Sequence, residues 1–275
     1  MDRDTDLFDR FLSLHVPGDP LLLPNPWDAG SARILEGLGF EALATTSGGF
    51  AGTLGRLDHH ITRDDALEHG ARLAAAVSIP VSADLEDCFG SDPAGIAETV
   101  TLAAGTGLAG CSIEDHDHLS GDRYPFTVAV ERVAAAVEAA HSGRHRLVLT
   151  ARADAGFHGD PDLEDTIRRL QAFEEAGADV LYAPNISRPE DLRRILAAVS
   201  RPVNVLAMPD TPPVAELAAL GVARISVGSA FWGGGTGGRV AAAGECHDSG
   251  TFGYWDRAAV GRTAARAAFR TSGPT

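Results

Sequence analysis

The segment Val81-Ser-Ala-Asp-Leu-Glu-Asp-Cys-Phe-Gly90 starts as an apolar strand and finishes with three carboxylates, Asp84, Glu86 and Asp87. Buried unpaired charge is costly, so this ending requires a compensating partner. Residues two apart in a strand face the same side, which places Asp84 and Glu86 together, and Glu114 of the later Ile113-Glu-Asp115 reaches the same region from the next strand. Converging carboxylates raise one another's pKa, whereas a hard divalent cation such as Mg2+, with Mn2+ as the alternative, takes oxygen ligands. The competing role is capping of the following helices, most plainly for Asp87, which points the other way.

Other groups could share that volume. Arg152, in Thr-Ala-Arg-Ala-Asp154, can clamp a carboxylate or phosphonate by paired hydrogen bonds or serve in a structural ion pair. Ser47-Gly48-Gly49 offers a hydroxyl and unobstructed backbone N–H groups suited to an anion, although the same tripeptide makes an ordinary turn. Asp58 lies on a loop and either faces the site or starts a helix. His116 and His118 are placed for proton transfer at neutral pH or are solvated loop residues. Trp27 either walls a substrate pocket or packs at a rim, and Asn185 and Asn204 add polar groups near strand ends. Cys88, Cys111 and Cys246 are widely spaced, so neither a disulfide framework nor a zinc site is indicated and a metal would be held by oxygen.

The elements that must position these groups alternate regularly. Short β-rich runs at 21–25, 41–47, 80–86, 109–115, 147–154, 179–185, 202–208 and 223–229 are separated by segments of helical periodicity, and Gly, Pro or Asp marks most junctions. Eight such units predict an α/β fold, a single (β/α)8 TIM barrel over 1–275 with its core at about 20–232; an open doubly wound sheet is the alternative. The Gly-rich stretch at 233–244 reads as a loop, and 263–270 reads as a last helix able to pack on a neighbouring subunit. In a barrel the active site lies at the C-terminal ends of the strands, where these polar residues concentrate.

Composition narrows the partners. With 23 basic and 38 acidic side chains the net charge is −15, and no basic stripe suits nucleic acid or an anionic membrane. No apolar run approaches the ~20 residues that span a bilayer, and the charged N-terminus lacks a signal pattern, so a cytoplasmic protein is expected.

The motifs Asn25-Pro-Trp-Asp-Ala-Gly-Ser-Ala-Arg33, Thr46-Ser-Gly-Gly49, Leu57-Asp58, Ser82-Ala-Asp-Leu-Glu-Asp-Cys-Phe-Gly90, Ile113-Glu-Asp115, Thr150-Ala-Arg-Ala-Asp-Ala155 and Pro202-Val-Asn-Val-Leu-Ala207 resemble the isocitrate lyase/phosphoenolpyruvate mutase superfamily. The resemblance spans roughly residues 20–232. It implies a barrel of the phosphoenolpyruvate/pyruvate type and a Mg2+-dependent enzyme that breaks or rearranges a C–C or C–P bond of a small 2-oxo or 2-hydroxy carboxylate beside a pyruvate enolate. It also implies metal-site acids at Asp84 and Glu86, with Glu114 acting through metal-bound water. Ser47, Gly48 and Gly49 become an anion cradle, Arg152 a substrate clamp and Asp58 an acid near metal and substrate. A homo-oligomer, tetramer or dimer, follows from the same resemblance.

Three departures qualify it. Where isocitrate and methylisocitrate lyases carry a Lys-[Lys/Arg]-Cys-Gly-His loop, this chain reads Ile113-Glu-Asp-His-Asp-His-Leu-Ser-Gly-Asp-Arg-Tyr-Pro-Phe126, without cysteine. Asn185 stands where those lyases have glutamate, and Cys88 where the superfamily usually has glycine. Those two lyase activities are therefore not expected. C–C cleavage ranks first, phosphonopyruvate hydrolysis or phosphonomutation second, and a non-catalytic carboxylate-binding barrel is the alternative from another class.

Overall fold

A computed structural model describes residues 3–118, 120–154 and 162–270, with the side chains of 3–6 left aside; part of the Thr150–Ala155 motif thus lies outside the described residues. The strands are β1 (Leu21–Leu23), β2 (Leu43–Ala44), β3 (Val81–Asp84), β4 (Gly110–Glu114), β5 (His116–Asp117), β6 (Asp122–Arg123), β7 (Val148–Arg152), β8 (Val180–Tyr182), β9 (Val203–Leu206) and β10 (Arg224–Ser226). All but β5 and β6 form one parallel sheet in the order β1-β10-β9-β8-β7-β4-β3-β2. Ala44 N–H donates to the Pro24 carbonyl at 3.1 Å and Asn25 Nδ2 to the Thr45 carbonyl at 2.9 Å, so β1 and β2 close the circle. The fold is the expected (β/α)8 barrel rather than an open sheet.

Each expected strand is present but shorter, because pairing stops where the chain turns toward the rim. The antiparallel hairpin of β5 and β6 is an addition within the loop that follows β4. The helices are α1 (Arg3–Ser13), α2 (Ala29–Gly37), α3 (Ser47–Thr53), α4 (Arg63–Ala76), α5 (Pro93–Ala104), α6 (Phe126–His141), α7 (Leu163–Glu175), α8 (Pro189–Ala198), α9 (Val214–Leu220), α10 (Ala230–Gly244) and α11 (Trp255–Phe269). Asp28, Thr46, Thr62, Asp92 and Asp162 cap the N-termini of α2, α3, α4, α5 and α7 by accepting backbone N–H bonds.

The strands β3, β4, β7, β8, β9 and β10 are buried on both faces along most of their length, as their continuous apolar runs require. At the N-terminal end of the barrel, Phe8 and Phe11 of α1 pack with Leu21, Leu23, Ala109, Val148 and Val180 and stop the bottom. Gly110 is needed there, since a Cβ would stand 2.7 Å from the Val148 carbonyl and 2.9 Å from the Phe11 ring. The cavity is thus left to the opposite rim.

The Gly-rich stretch is not a loop: it forms α10, followed by a π-helical turn, Glu245–Ser249. Glycine lowers helix propensity, but tertiary placement overrides it here. Trp232 lies against α3, where a Cβ on Gly52 would meet its indole at 2.2 Å. The last turn of α11 docks on α2 of the same chain, with Ala268 against Gly37 and Phe269 near Gly30. Among the described residues no helix is long and apolar enough to cross a membrane.

Candidate active site

A cavity of about 540 Å3 opens at the C-terminal ends of the strands. Its polar side is built from Ser47, Asp58, Asp84, Glu114, Arg152 and Asp154, with His59, His116 and His118 beside them. Across from these, Leu206, Ala207, Met208, Pro209, Val227 and Ala230 make an apolar wall.

Arg152 ends β7 at the centre of the acids. Its Nη1 donates to Asp84 Oδ1 at 3.0 Å, and its Nη2 meets Glu114 Oε2 at 2.7 Å and Asp154 Oδ2 at 3.0 Å. The structural ion pair weighed from the sequence is therefore present, while Arg152 Nε is buried with no hydrogen-bond partner and keeps one donor in reserve. Burial alone would raise the Asp84 pKa, but Arg152 and the Ser47 hydrogen bonds outweigh it and hold the carboxyl below its ordinary value.

One guanidinium does not neutralise the remaining acids. Burial, then the charges of Asp84, Glu114 and Asp58, push Glu86 up to about 9. Burial likewise lifts Glu114 to about 7 against the pull of Arg152, and raises Asp154 well above the carboxylate range. Glu114 Oε2 and Asp154 Oδ2 meet the same Arg152 nitrogen, which crowds the two carboxyls together. Glu86 Oε1 is buried and accepts no hydrogen bond. Oxygen donors that are buried, crowded and partly unpartnered fit a divalent cation.

Glu86 does not arrive by strand alternation. β3 ends at Asp84, and Glu86 lies at φ 50°, with Cys88 at 65° and Phe89 at 54°. Strand spacing is therefore not what brings the two acids together; a left-handed bend does, fixed by the hydrogen bond of Glu114 N–H to the Glu86 carbonyl at 3.0 Å. Position 88 takes the backbone conformation that favours glycine, which accounts for the usual residue there, and the Cys88 thiol is fully buried.

Asp87 caps no helix. Its Oδ2 accepts from Tyr124 Oη at 2.8 Å and from Arg132 Nη2 at 3.2 Å, and Arg132 also donates to the carbonyls of Gly90 and Asp87. Asp115 is a similar anchor, taking Arg123, Arg169 and the Asp154 N–H.

Ser47-Gly48-Gly49 begins α3 rather than forming an open cradle. Ser47 N–H and Oγ donate to Asp84 Oδ2 at 3.2 and 3.0 Å, and Gly49 N–H donates to Thr46 Oγ1. Gly48 admits Asp58, whose Oδ2 would lie 2.7 Å from a Cβ at that position. Asp58 lines the cavity and accepts from Ser47 Oγ at 3.2 Å.

His116 and His118 are turned inward from the β5 hairpin instead of being solvated. His116 is 6% exposed, and the His118 imidazole meets Glu114 Oε1. His59 and the inward turn of His118 escaped the sequence reading; the pair Asp58-His59 beside an acidic rim was the available signal for the first.

Three expected substrate contacts, Trp27, Gly49 and Asn185, are absent from the cavity lining, as is Glu86, expected as a metal-site acid. Trp27 packs at the rim near Gly235, the other role weighed for it. Asn185 sits outside the cavity at φ 64°. Asn204 does line the floor, where it bonds Ser226 and Arg224 at 2.9 Å each. Arg224 also donates to Thr150 and, held away from any carboxylate by this amide and hydroxyl shell, is lowered by burial to about 10.

The chain can be set beside proteins already described. A family model for phosphoenolpyruvate phosphomutase matches residues 11–244. An uncharacterized protein of Mycobacterium tuberculosis is 33% identical over 80% of this chain and 81% of its own length. The 2-methylisocitrate lyase of Escherichia coli K12 is 32% identical, covering 70% of each chain. A crystal structure of a protein described only as a lyase/mutase, from Burkholderia cenocepacia J2315, superposes with a TM-score of 0.91 at 46% identity over 96% of this chain and 97% of that one. The chain belongs to the phosphoenolpyruvate phosphomutase family, within the isocitrate lyase/phosphoenolpyruvate mutase superfamily of lyases and mutases that act on small carboxylates.

Proposed function

We propose that this enzyme cleaves a C–C bond of a small 2-oxo or 2-hydroxy carboxylate through a pyruvate-enolate-like intermediate. The observation that carries the reading is Arg152 seated among Asp84, Glu114 and Asp154 opposite an apolar wall at the cavity rim. An apolar wall suits a carbon leaving group better than a multiply charged phosphonate, whose desolvation there would be costly.

Asp84, Glu86 and Glu114 would hold Mg2+, with Mn2+ as the alternative, which supplies positive charge for the negative charge that develops on substrate oxygens. Arg152, which lines the cavity, orients the substrate carboxylate. Asp58 faces the same volume from the loop after α3 and positions Ser47, whose hydroxyl it accepts. His116, buried in the hairpin where the lyases carry their cysteine loop, exchanges the proton with the departing carbon. The absence of cysteine from 112–126 argues against isocitrate or methylisocitrate as substrate. A homo-oligomer belongs to this reading too, supported by α10, which has no buried residue and exposes Phe231 and Val240.

The test is a panel of oxaloacetate, substituted malates, methylisocitrate and phosphonopyruvate with Mg2+, followed by 2-oxo acid release and phosphorus NMR. Release from a malate or oxaloacetate is expected. Turnover confined to phosphonopyruvate would replace C–C cleavage by hydrolysis or phosphonomutation.

A further inference from the structure

Arg224 stands at the floor of the cavity with no carboxylate beside it among the described residues. It begins β10 next to Asn204 of β9, is 5% exposed, and lines the cavity together with Tyr182, Asn204 and Ser226. Its Nε donates to Asn204 Oδ1 at 2.9 Å, and its Nη1 to Thr150 Oγ1 at 3.0 Å and to His15 Nε2 at 3.3 Å. His15 Nδ1 lies 2.9 Å from the Phe11 carbonyl, which can only accept, so the imidazole carries its proton there and offers Nε2 as an acceptor. Burial, then the Arg224 charge, lowers this histidine to about 3, and it is neutral at pH 7.

Every side chain that holds the guanidinium is therefore neutral. A buried cation without a compensating charge is costly, and the other buried guanidiniums avoid that cost: Arg132 meets Asp87, and Arg169 meets Asp115 and Asp165. Arg224 does not, although the chain carries a net charge of −15. Lowered by burial to about 10, it is still charged at pH 7. Its bonds to Asn204, Thr150 and His15 use Nε and Nη1, which leaves Nη2 as a donor. The anion that balances it must come from the cavity.

We propose that Arg224 seats the second carboxylate of a dicarboxylate substrate whose first carboxylate is held by Arg152 at the rim. The inference rests on the C–C cleavage reading above and names the residue that selects dicarboxylates over monocarboxylates. A guanidinium framed by amide and hydroxyl groups suits a planar carboxylate, and the apolar wall of Leu206, Met208 and Val227 suits the carbon chain between the two charges.

The test is calorimetric titration of the full chain with Mg2+ present, using succinate as the dicarboxylate probe and pyruvate as the monocarboxylate probe. It compares the wild type with Arg224→Gln and Asn204→Asp, each checked for native melting. Arg224→Gln should lose succinate affinity at least about tenfold, while pyruvate affinity stays within about twofold. Asn204→Asp keeps the arginine but gives it a carboxylate of its own, and should show the same selective loss, which a purely structural role would not produce. With the best dicarboxylate of the substrate panel, Arg224→Gln should raise KM at least about tenfold with a smaller change in kcat. Wild-type succinate affinity in either folded variant, or an equal loss for succinate and pyruvate, overturns the inference; so does a wild type without succinate binding, whether or not phosphonopyruvate binds. Turnover of a dicarboxylate by the wild type would then leave the lyase reading standing. Selective loss of succinate in both variants, without turnover of any substrate, upholds the seat while removing that reading.

Discussion

Replacing Glu86 by glutamine should change how stability depends on pH, and the size of the change follows from the site. Burial and the charges of Asp84, Glu114 and Asp58 move the Glu86 carboxyl from 4.5 to about 9. Between those values the folded, metal-free chain retains a proton that the unfolded chain has released. The contribution is therefore fully present below pH 4.5 and is lost as pH rises toward 9. Each pH unit in that window lowers stability by about 1.4 kcal/mol, or about 3 kcal/mol between pH 4.5 and 7. Glutamine carries no such proton. In urea denaturation under chelator, the stability of Glu86→Gln minus that of the wild type should grow by about 4 kcal/mol from pH 5 to 8, while titrations common to both proteins cancel. A difference constant across this range would refute the electrostatic description of the acid cluster.

Other outcomes are expected from neighbouring contacts. Arg152→Lys should lower kcat/KM at least about a hundredfold, because an ammonium cannot satisfy three carboxylates in a plane and still offer a donor to substrate; steady-state kinetics reads it. Arg132→Ala removes the charged donor of the Asp87 carboxylate, which keeps Tyr124 Oη, and leaves two carbonyls without theirs; it should cost about 3 kcal/mol in chemical denaturation. Gly90→Ala places a Cβ 2.4 Å from Ile96 N and should lower stability by about 2 kcal/mol or more, read as a fall in melting temperature. Metal binding at pH 7 should release protons from Glu86 and Glu114, visible as a dependence of calorimetric heat on buffer ionisation enthalpy.

The barrel was legible because each central strand, buried on both faces, must be an apolar run such as Leu147-Val-Leu149, bounded by turn residues. The polar strand ends were legible for the same reason: Asp84, Glu114 and Arg152 interrupt those runs at the rim. What escaped depended on backbone shape and distant contacts. Strand periodicity could not reveal the left-handed bend that carries Glu86, nor the partners of Asp87, which lie on the β6 to α6 connection and on α6. The helix at 230–244 was hidden because glycine marks loops in isolation, whereas Trp232 anchors this segment against Gly52. The inward turn of His118 likewise depends on a hairpin whose two-residue strands are too short for a periodic signal.

The central claim is that Asp84 and its neighbours form a metal-dependent catalytic centre. Its most direct test is the metal dependence of 2-oxo acid release from the best substrate of the panel, in the wild type and in folded Asp84→Asn. The account expects saturable activation by a divalent cation in the wild type, none under chelator, and a fall in turnover of at least about a hundredfold in Asp84→Asn with weakened metal binding. Undiminished turnover under chelator, or an Asp84→Asn enzyme as active as the wild type, would contradict it.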